Sequence, residues 1–111
     1  MDRREEQRQK LERVAQEVGA VLRRQARRKW DGVRTAERNE RGRHVWRFRS
    51  ESDSRERFLH VTHEAMRQGN RTTAILLEQL AAGRWLDRLD AETTPSLVLS
   101  KGGQLEPWTG A

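Results

Sequence analysis

Leu11, Val14, Ala15, Val18, Val21, Leu22 and Ala26 recur at alternating intervals of three and four, the spacing that lines one face of an α-helix. Asp2 followed three residues later by Glu5 reads as a capping box at its start. Arg27, Arg28 and Lys29 at its end suit the negative pole of the helix dipole, and Trp30-Asp31-Gly32 stops it. A helix from about Arg3 to Lys29 is ~40 Å long, whereas a compact chain of this size has a radius of gyration near ~13 Å. One end is therefore expected to project or to pack on another subunit. The apolar spacing stays close to 3.5 for about two heptads, which makes Val18 and Leu22 the expected seam of a helix pair. Gly19, in the middle, is expected to mark a close packing contact.

Past Val33 the period shortens to two. The segment 33–50 reads as a hairpin with its turn at 39–42. In the second arm His44, Trp46 and Phe48 face one side, and Arg43, Val45, Arg47 and Arg49 face the other. Asp53-Ser54-Arg55-Glu56 then resembles a second helix start, with Phe58, Leu59, Val61, Ala65 and Met66 as the apolar arc and Gly69-Asn70 as the stop. A third helix is predicted from Thr72 or Thr73. Its residues Ala74, Ile75, Leu76, Leu77, Leu80 and Ala81 leave little polar face beyond Glu78 and Gln79, the mark of a central core element or a subunit interface. Gly83 ends it, and Trp85, Leu86 and Leu89 continue as a short extra turn. After a loop at 91–95, Leu97-Val98-Leu99 reads as a strand, Lys101-Gly102-Gly103 as a turn and 104–108 as the partner strand, with Pro107 arguing for a sheet edge.

These elements predict an α+β fold: a small single domain of order α-β-β-α-α-β-β, with a long N-terminal helix and antiparallel hairpins packed on helices. Residues 1–29 form the long helix, a candidate oligomerisation element, and residues 30–111 the α+β body of the same domain. The expected inward set is Trp46, Phe48, Phe58, Val61, Ala65, Leu77, Leu80, Trp85, Leu97 and Leu99.

Composition sharpens the picture in three ways. Only 33% of the 111 residues are hydrophobic and 36% are charged, lean for a self-sufficient core, so a homo-oligomer, most simply a dimer, is expected. Cysteine is absent, which removes disulfides, thiolate nucleophiles and cysteine-based zinc sites. The first residues carry no apolar leader and no stretch approaches ~20 apolar residues. A cytoplasmic protein without membrane contact is expected.

Charge is distributed unevenly. The chain carries net +6, yet the stretch from Arg23 to Arg49 holds eleven of the 23 Lys and Arg residues against only Asp31, Glu37 and Glu40. Such a block favours polyanionic partners. Arginine outnumbers lysine twenty to three, and its planar fork suits phosphate oxygens and base stacking, although a GC-rich genome produces the same bias.

Catalytic and metal signatures are missing from the pattern. His60, His63 and Glu64 lie within one turn but do not have zincin spacing, and Ser50, Ser52, Ser54, Ser96 and Ser100 lack a nucleophile elbow. Segment 64–80 invites comparison with a helix-turn-helix, through Ala65, Gly69 and Ile75, but Glu64, Gln68, Asn70 and Glu78 occupy expected core positions, and a plain helical hairpin is the alternative. Trp46-Arg47-Phe48-Arg49 admits either base stacking on the aromatics or inward aromatics with solvated arginines. The expectation is a non-enzymatic nucleic-acid-binding protein, DNA or RNA, without cofactor or metal. Arg23, Arg24, Arg27, Arg28, Arg34, Arg43, Arg47 and Arg49 would contact phosphates along one surface. The alternative is an oligomeric protein-protein adapter or structural assembly subunit.

Overall fold

The computed structural model describes residues 3–52, 55–67, 70–90, 96–100 and 102–108. Along the chain run α1 (Arg3–Lys29), β1 (Arg34–Glu40), β2 (Arg43–Arg49), β3 (Glu56–Thr62), α2 (His63–Met66), α3 (Asn70–Ala81), α4 (Arg84–Asp90), β4 (Ser96–Leu99) and β5 (Leu105–Pro107). The fold class is α+β, as the patterning predicts. The strands form one sheet in the order β1-β2-β3-β4-β5. β3 and β4 pair in parallel, and every other pair is antiparallel. A parallel pair needs a crossover connection, and α2, α3 and α4 supply it.

All four helices pack on one face of the sheet. Leu11, Val14, Val18, Leu22 and Ala26 of α1 join Met66, Leu76, Leu80, Trp85 and Leu89 of the crossover in a single core cluster with Trp46, Phe48, Leu59, Val61, Leu97 and Leu99. Val18 and Leu22 are completely buried within their own chain. The seam expected to pair with a second copy therefore packs on the chain's own sheet. Gly19 lies at a tight point of that contact: a Cβ there would lie 3.2 Å from Trp46 Nε1 of the sheet and 3.1 Å from Arg23 Nη1 of its own helix. The first turns of α1 stay exposed, and the molecule extends 47 Å along its long axis. The projecting end is the N-terminal one.

One element departs from the expected order. Residues 56–62 form a strand, and only His63–Met66 are helical. Phe58, Leu59 and Val61 satisfy a helical arc, but they fit alternation equally, with Leu59 and Val61 inward and Phe58 outward. Pairing decides. β2 leaves one edge unfilled by β1, and residues 56–62 complete it in register from Arg43↔Thr62 to Arg49↔Glu56. Phe58 consequently leaves the inward set and lies half-buried on the other face, and Leu77 is half-buried at the core's margin. The helix-turn-helix comparison fails because, among the described residues, only the single turn His63–Met66 is helical between β3 and α3. Thr62 caps α2, its side chain accepting from Ala65 N at 3.1 Å. The expected caps at Asp2 and Asp53, the Gly69 stop and the 91–95 loop lie outside the described residues.

Three of the punctuating residues stand where the sequence puts them. Gly42 turns the first hairpin with φ 77°, Gly83 separates α3 from α4 with φ 80°, and Pro107 sits on the edge strand. The end of α1 is tied to the end of α4 by Asp90, which accepts from Trp30 Nε1 at 3.0 Å and from Arg57 Nη2 at 3.3 Å. Arg57 is buried, and its guanidinium lies 4.8 Å from the Trp30 ring centroid. Trp30's hydrogen bond, ahead of the charges of Lys29, Arg57 and Arg55, holds the Asp90 carboxyl below the usual range.

Candidate nucleic-acid interface

Because strand side chains alternate, every residue between the inward positions points away from the helices. On β2 these are Arg43, Val45, Arg47 and Arg49, opposite the buried Trp46 and Phe48. The register sets Arg34 beside Arg49, Ala36 beside Arg47 and Arg38 beside Val45. On the other side Glu56 faces Arg49, Phe58 faces Arg47 and His60 faces Val45. The parallel join continues these rows to Ser96 and Val98, and β5 adds Glu106. No described helix or strand packs over this face.

Five arginines thus share one sheet surface: Arg34, Arg38, Arg43, Arg47 and Arg49. Two meet carboxylates there, Arg38 Nε at 2.6 Å from Glu40 and Arg47 Nη1 at 3.7 Å from Glu56. Exposed pairs of this kind are weak and exchange readily for an incoming anion. Arg34 and Arg49 stand directly opposite each other in the ladder, an arrangement of like charges that destabilises a strand pair unless an anion lies between them.

Between the arginines the face is apolar. Ala36, Val45 and Phe58 floor a depression of about 300 Å³ rimmed by Arg38, Arg47 and Glu56. Val45 is buried although it lies outside the main core cluster. Further across the sheet, the Trp108 ring stacks on His60 at 4.5 Å and 20°. Arg43 completes the stack: its guanidinium carbon is 4.4 Å from the Trp108 centroid, and its Nε donates to His60 Nδ1 at 3.1 Å. With Nδ1 accepting, the His60 proton sits on Nε2 and is donated to Ser96 Oγ at 3.2 Å. Burial, reinforced by Arg43 and Arg38 and opposed by Glu40, lowers the His60 pKa to about 4. A Ser-His pair oriented by a cation in this way is a poor general base, since nucleophile activation needs a basic imidazole and a carboxylate behind it.

The helical arginines lie elsewhere. Arg24, Arg27 and Arg28 are exposed and Arg23 is half-buried on α1, which packs against the opposite face. The expected single surface is therefore two, one on the helical layer and one on the open sheet. The sheet surface gathers Arg34, Arg43, Arg47 and Arg49 of the expected set and adds Arg38, Phe58 and Trp108. Of these, Phe58 has a signal in the sequence, the strand alternation over 56–62, which its resemblance to a helical arc masks.

Other clusters serve the fold. His63 Nε2 lies 2.7 Å from Asn39 Oδ1, and His44 Nε2 lies 3.2 Å from Glu37 Oε2. Among the described residues no three His, Cys, Asp or Glu side chains converge as metal ligands. A second cavity, of about 410 Å³, lies where α3 and α4 meet β5. Two of its polar side chains are already engaged, Gln79 with the Gly103 carbonyl and Arg88 with the Leu105 carbonyl. No helix among the described residues is long and apolar enough to cross a membrane. Compared with protein-family models, curated proteins and solved structures, the chain finds no match.

Proposed function

We propose that the chain is a non-enzymatic, cytoplasmic nucleic-acid-binding protein whose contact surface is the open face of its sheet. The observation that supports this reading is the gathering of five arginines, from β1 and β2, on a face that no described helix or strand covers. Their guanidinium groups offer forked donors to phosphate oxygens, and the α1 arginines add a long-range positive potential without sharing the contact.

A salt titration of binding tests it. If about four phosphates are neutralised, the log–log slope of affinity against salt is about −3.5 for a duplex and about −3 for a single strand. Changing Arg34, Arg47 and Arg49 to Glu should abolish binding, whereas changing Arg24, Arg27 and Arg28 to Glu should weaken it only modestly. Binding no tighter than millimolar at low salt, or binding unaffected by the sheet variant, would overturn the proposal.

The second reading is an oligomeric protein-protein adapter, and one observation favours it. Ile75 on α3 is 55% exposed, with Ala74 exposed beside it. A homodimer built through α3 would separate in an Ile75→Glu variant, measured by sedimentation. A wild-type chain that sediments as a monomer at micromolar concentration removes that reading.

A further inference from the structure

The proposed face is not uniformly charged, and its apolar parts bear on which form of nucleic acid it fits. A duplex presents phosphate ridges and groove edges, and its base rings are hidden in the stack. Reading it takes an element that enters a groove. The open face offers no such element among the described residues. It offers instead two surfaces for planar rings, which a duplex cannot use and a single strand can.

Trp108 is the first. Trp30, Trp46 and Trp85 are at most 6% exposed in the core, while Trp108 is half-buried and lies on the outer face of the sheet. One side of its ring rests on His60 and Arg43. Its backbone N–H is fixed to the Ser96 carbonyl at 2.9 Å. The ring is thus held flat before any ligand arrives, so stacking on its outer side costs little ordering.

The depression over Ala36, Val45 and Phe58 is the second, with a guanidinium on its rim at Arg38 and at Arg47. Phe58, Ser96 and Trp108 lie in one row across β3, β4 and β5, which sets the backbones of Phe58 and Trp108 roughly 10 Å apart at about 4.8 Å per strand. Arg34 and Arg49, opposed at the far end of the sheet, supply the place for a backbone phosphate.

Resting on the nucleic-acid reading above, we infer that the ligand is single-stranded. One base enters the Phe58 depression, a second stacks on Trp108, and the backbone runs on from the depression past the arginines of β1 and β2. DNA and RNA share this chemistry.

The test compares oligothymidylate, oligouridylate and a duplex of equal length at one salt concentration, with Trp108→Ala, Trp108→Phe and the Arg34→Glu/Arg49→Glu pair. Single strands of either sugar should bind more tightly than duplex and quench tryptophan fluorescence. Trp108→Ala should lose roughly 5- to 100-fold in single-strand affinity at an unchanged salt slope, while the arginine pair should reduce the slope. Trp108→Phe should keep most of the affinity and lose the quenching, and it keeps the test decisive if alanine loosens β5. Duplex bound as tightly as single strands, or single-strand affinity indifferent to Trp108→Ala in a folded protein, would overturn this inference and leave the proposed function standing. Failure to bind any of the three nucleic acids would overturn the proposed function itself.

Discussion

Replacing His60 by Gln should flatten the acid limb of the protein's stability curve. His60 is 5% exposed and lies beneath Trp108, accepting from Arg43 through Nδ1 and donating to Ser96 through Nε2. Protonation would set an N–H of the imidazolium against the Arg43 Nε–H and add charge where burial already disfavours it. The pKa accordingly falls from 6.5 to about 4, with burial the largest cause. The sign follows directly. Between these two values the unfolded chain holds a proton that the folded chain refuses, so stability is complete above 6.5 and is lost as pH falls toward 4. At 1.36 kcal/mol per unit the full span amounts to about 3 kcal/mol. Glutamine keeps one acceptor and one donor but does not titrate. Urea unfolding followed by circular dichroism across this window should show wild type losing up to about 3 kcal/mol more than the variant. His63, also lowered by burial, contributes in the same sense to both proteins and cancels in the difference. Parallel curves for the two proteins would refute the buried Arg43-His60-Trp108 arrangement.

Two further outcomes probe the frame. Leu22→Glu places a carboxylate at a position with no exposure and should cost about 4 kcal/mol or more, unfolding the monomer instead of releasing a dimer, as sedimentation combined with circular dichroism would report. Asp90→Asn weakens the charged acceptor shared by Trp30 and Arg57 and should cost about 1–3 kcal/mol by urea titration; because the carboxyl's pKa is depressed, this difference is present above the unfolded value of 3.8 and disappears as pH falls through the folded one.

How far the sequence alone could lead is clearest at particular residues. The threes and fours of α1, the alternation around Trp46 and Phe48, and the glycines at 42 and 83 are local signals, and each element they mark is present. Phe58, Leu59 and Val61 are ambiguous because two periods pass through the same three positions. Only the unfilled edge of β2, a partner distant from any local cue, decides between them. The oligomer seam was legible as apolar but not as intramolecular, since periodicity says that a stripe is covered and not by what. The candidate site divided along the same line. Arg43, Arg47 and Arg49 were visible as outward, whereas their separation from the α1 arginines depended on which face the helix covers. Trp108 gave no signal, because the His60 beneath it belongs to a strand that joins β4 across the whole crossover.

That parallel join separates a local part of the sheet from a distant one, and the cost of loop closure predicts that the local part forms first. β1, β2 and β3 form a continuous meander over residues 34–62, whose contacts close over short loops, while β4 joins it across a separation of more than thirty residues from β3. The Phe58 depression belongs to the early unit and the Trp108 ring to the late one. β5 pairs only with β4 and stands at the sheet edge, so it is expected to open at a lower free energy than the meander. A molecule occupying both ring sites would therefore act as a staple. It would transfer to the last strands the protection against solvent exchange that the meander already possesses, and its grip would register as slower opening of a hairpin that supplies only one of its contacts.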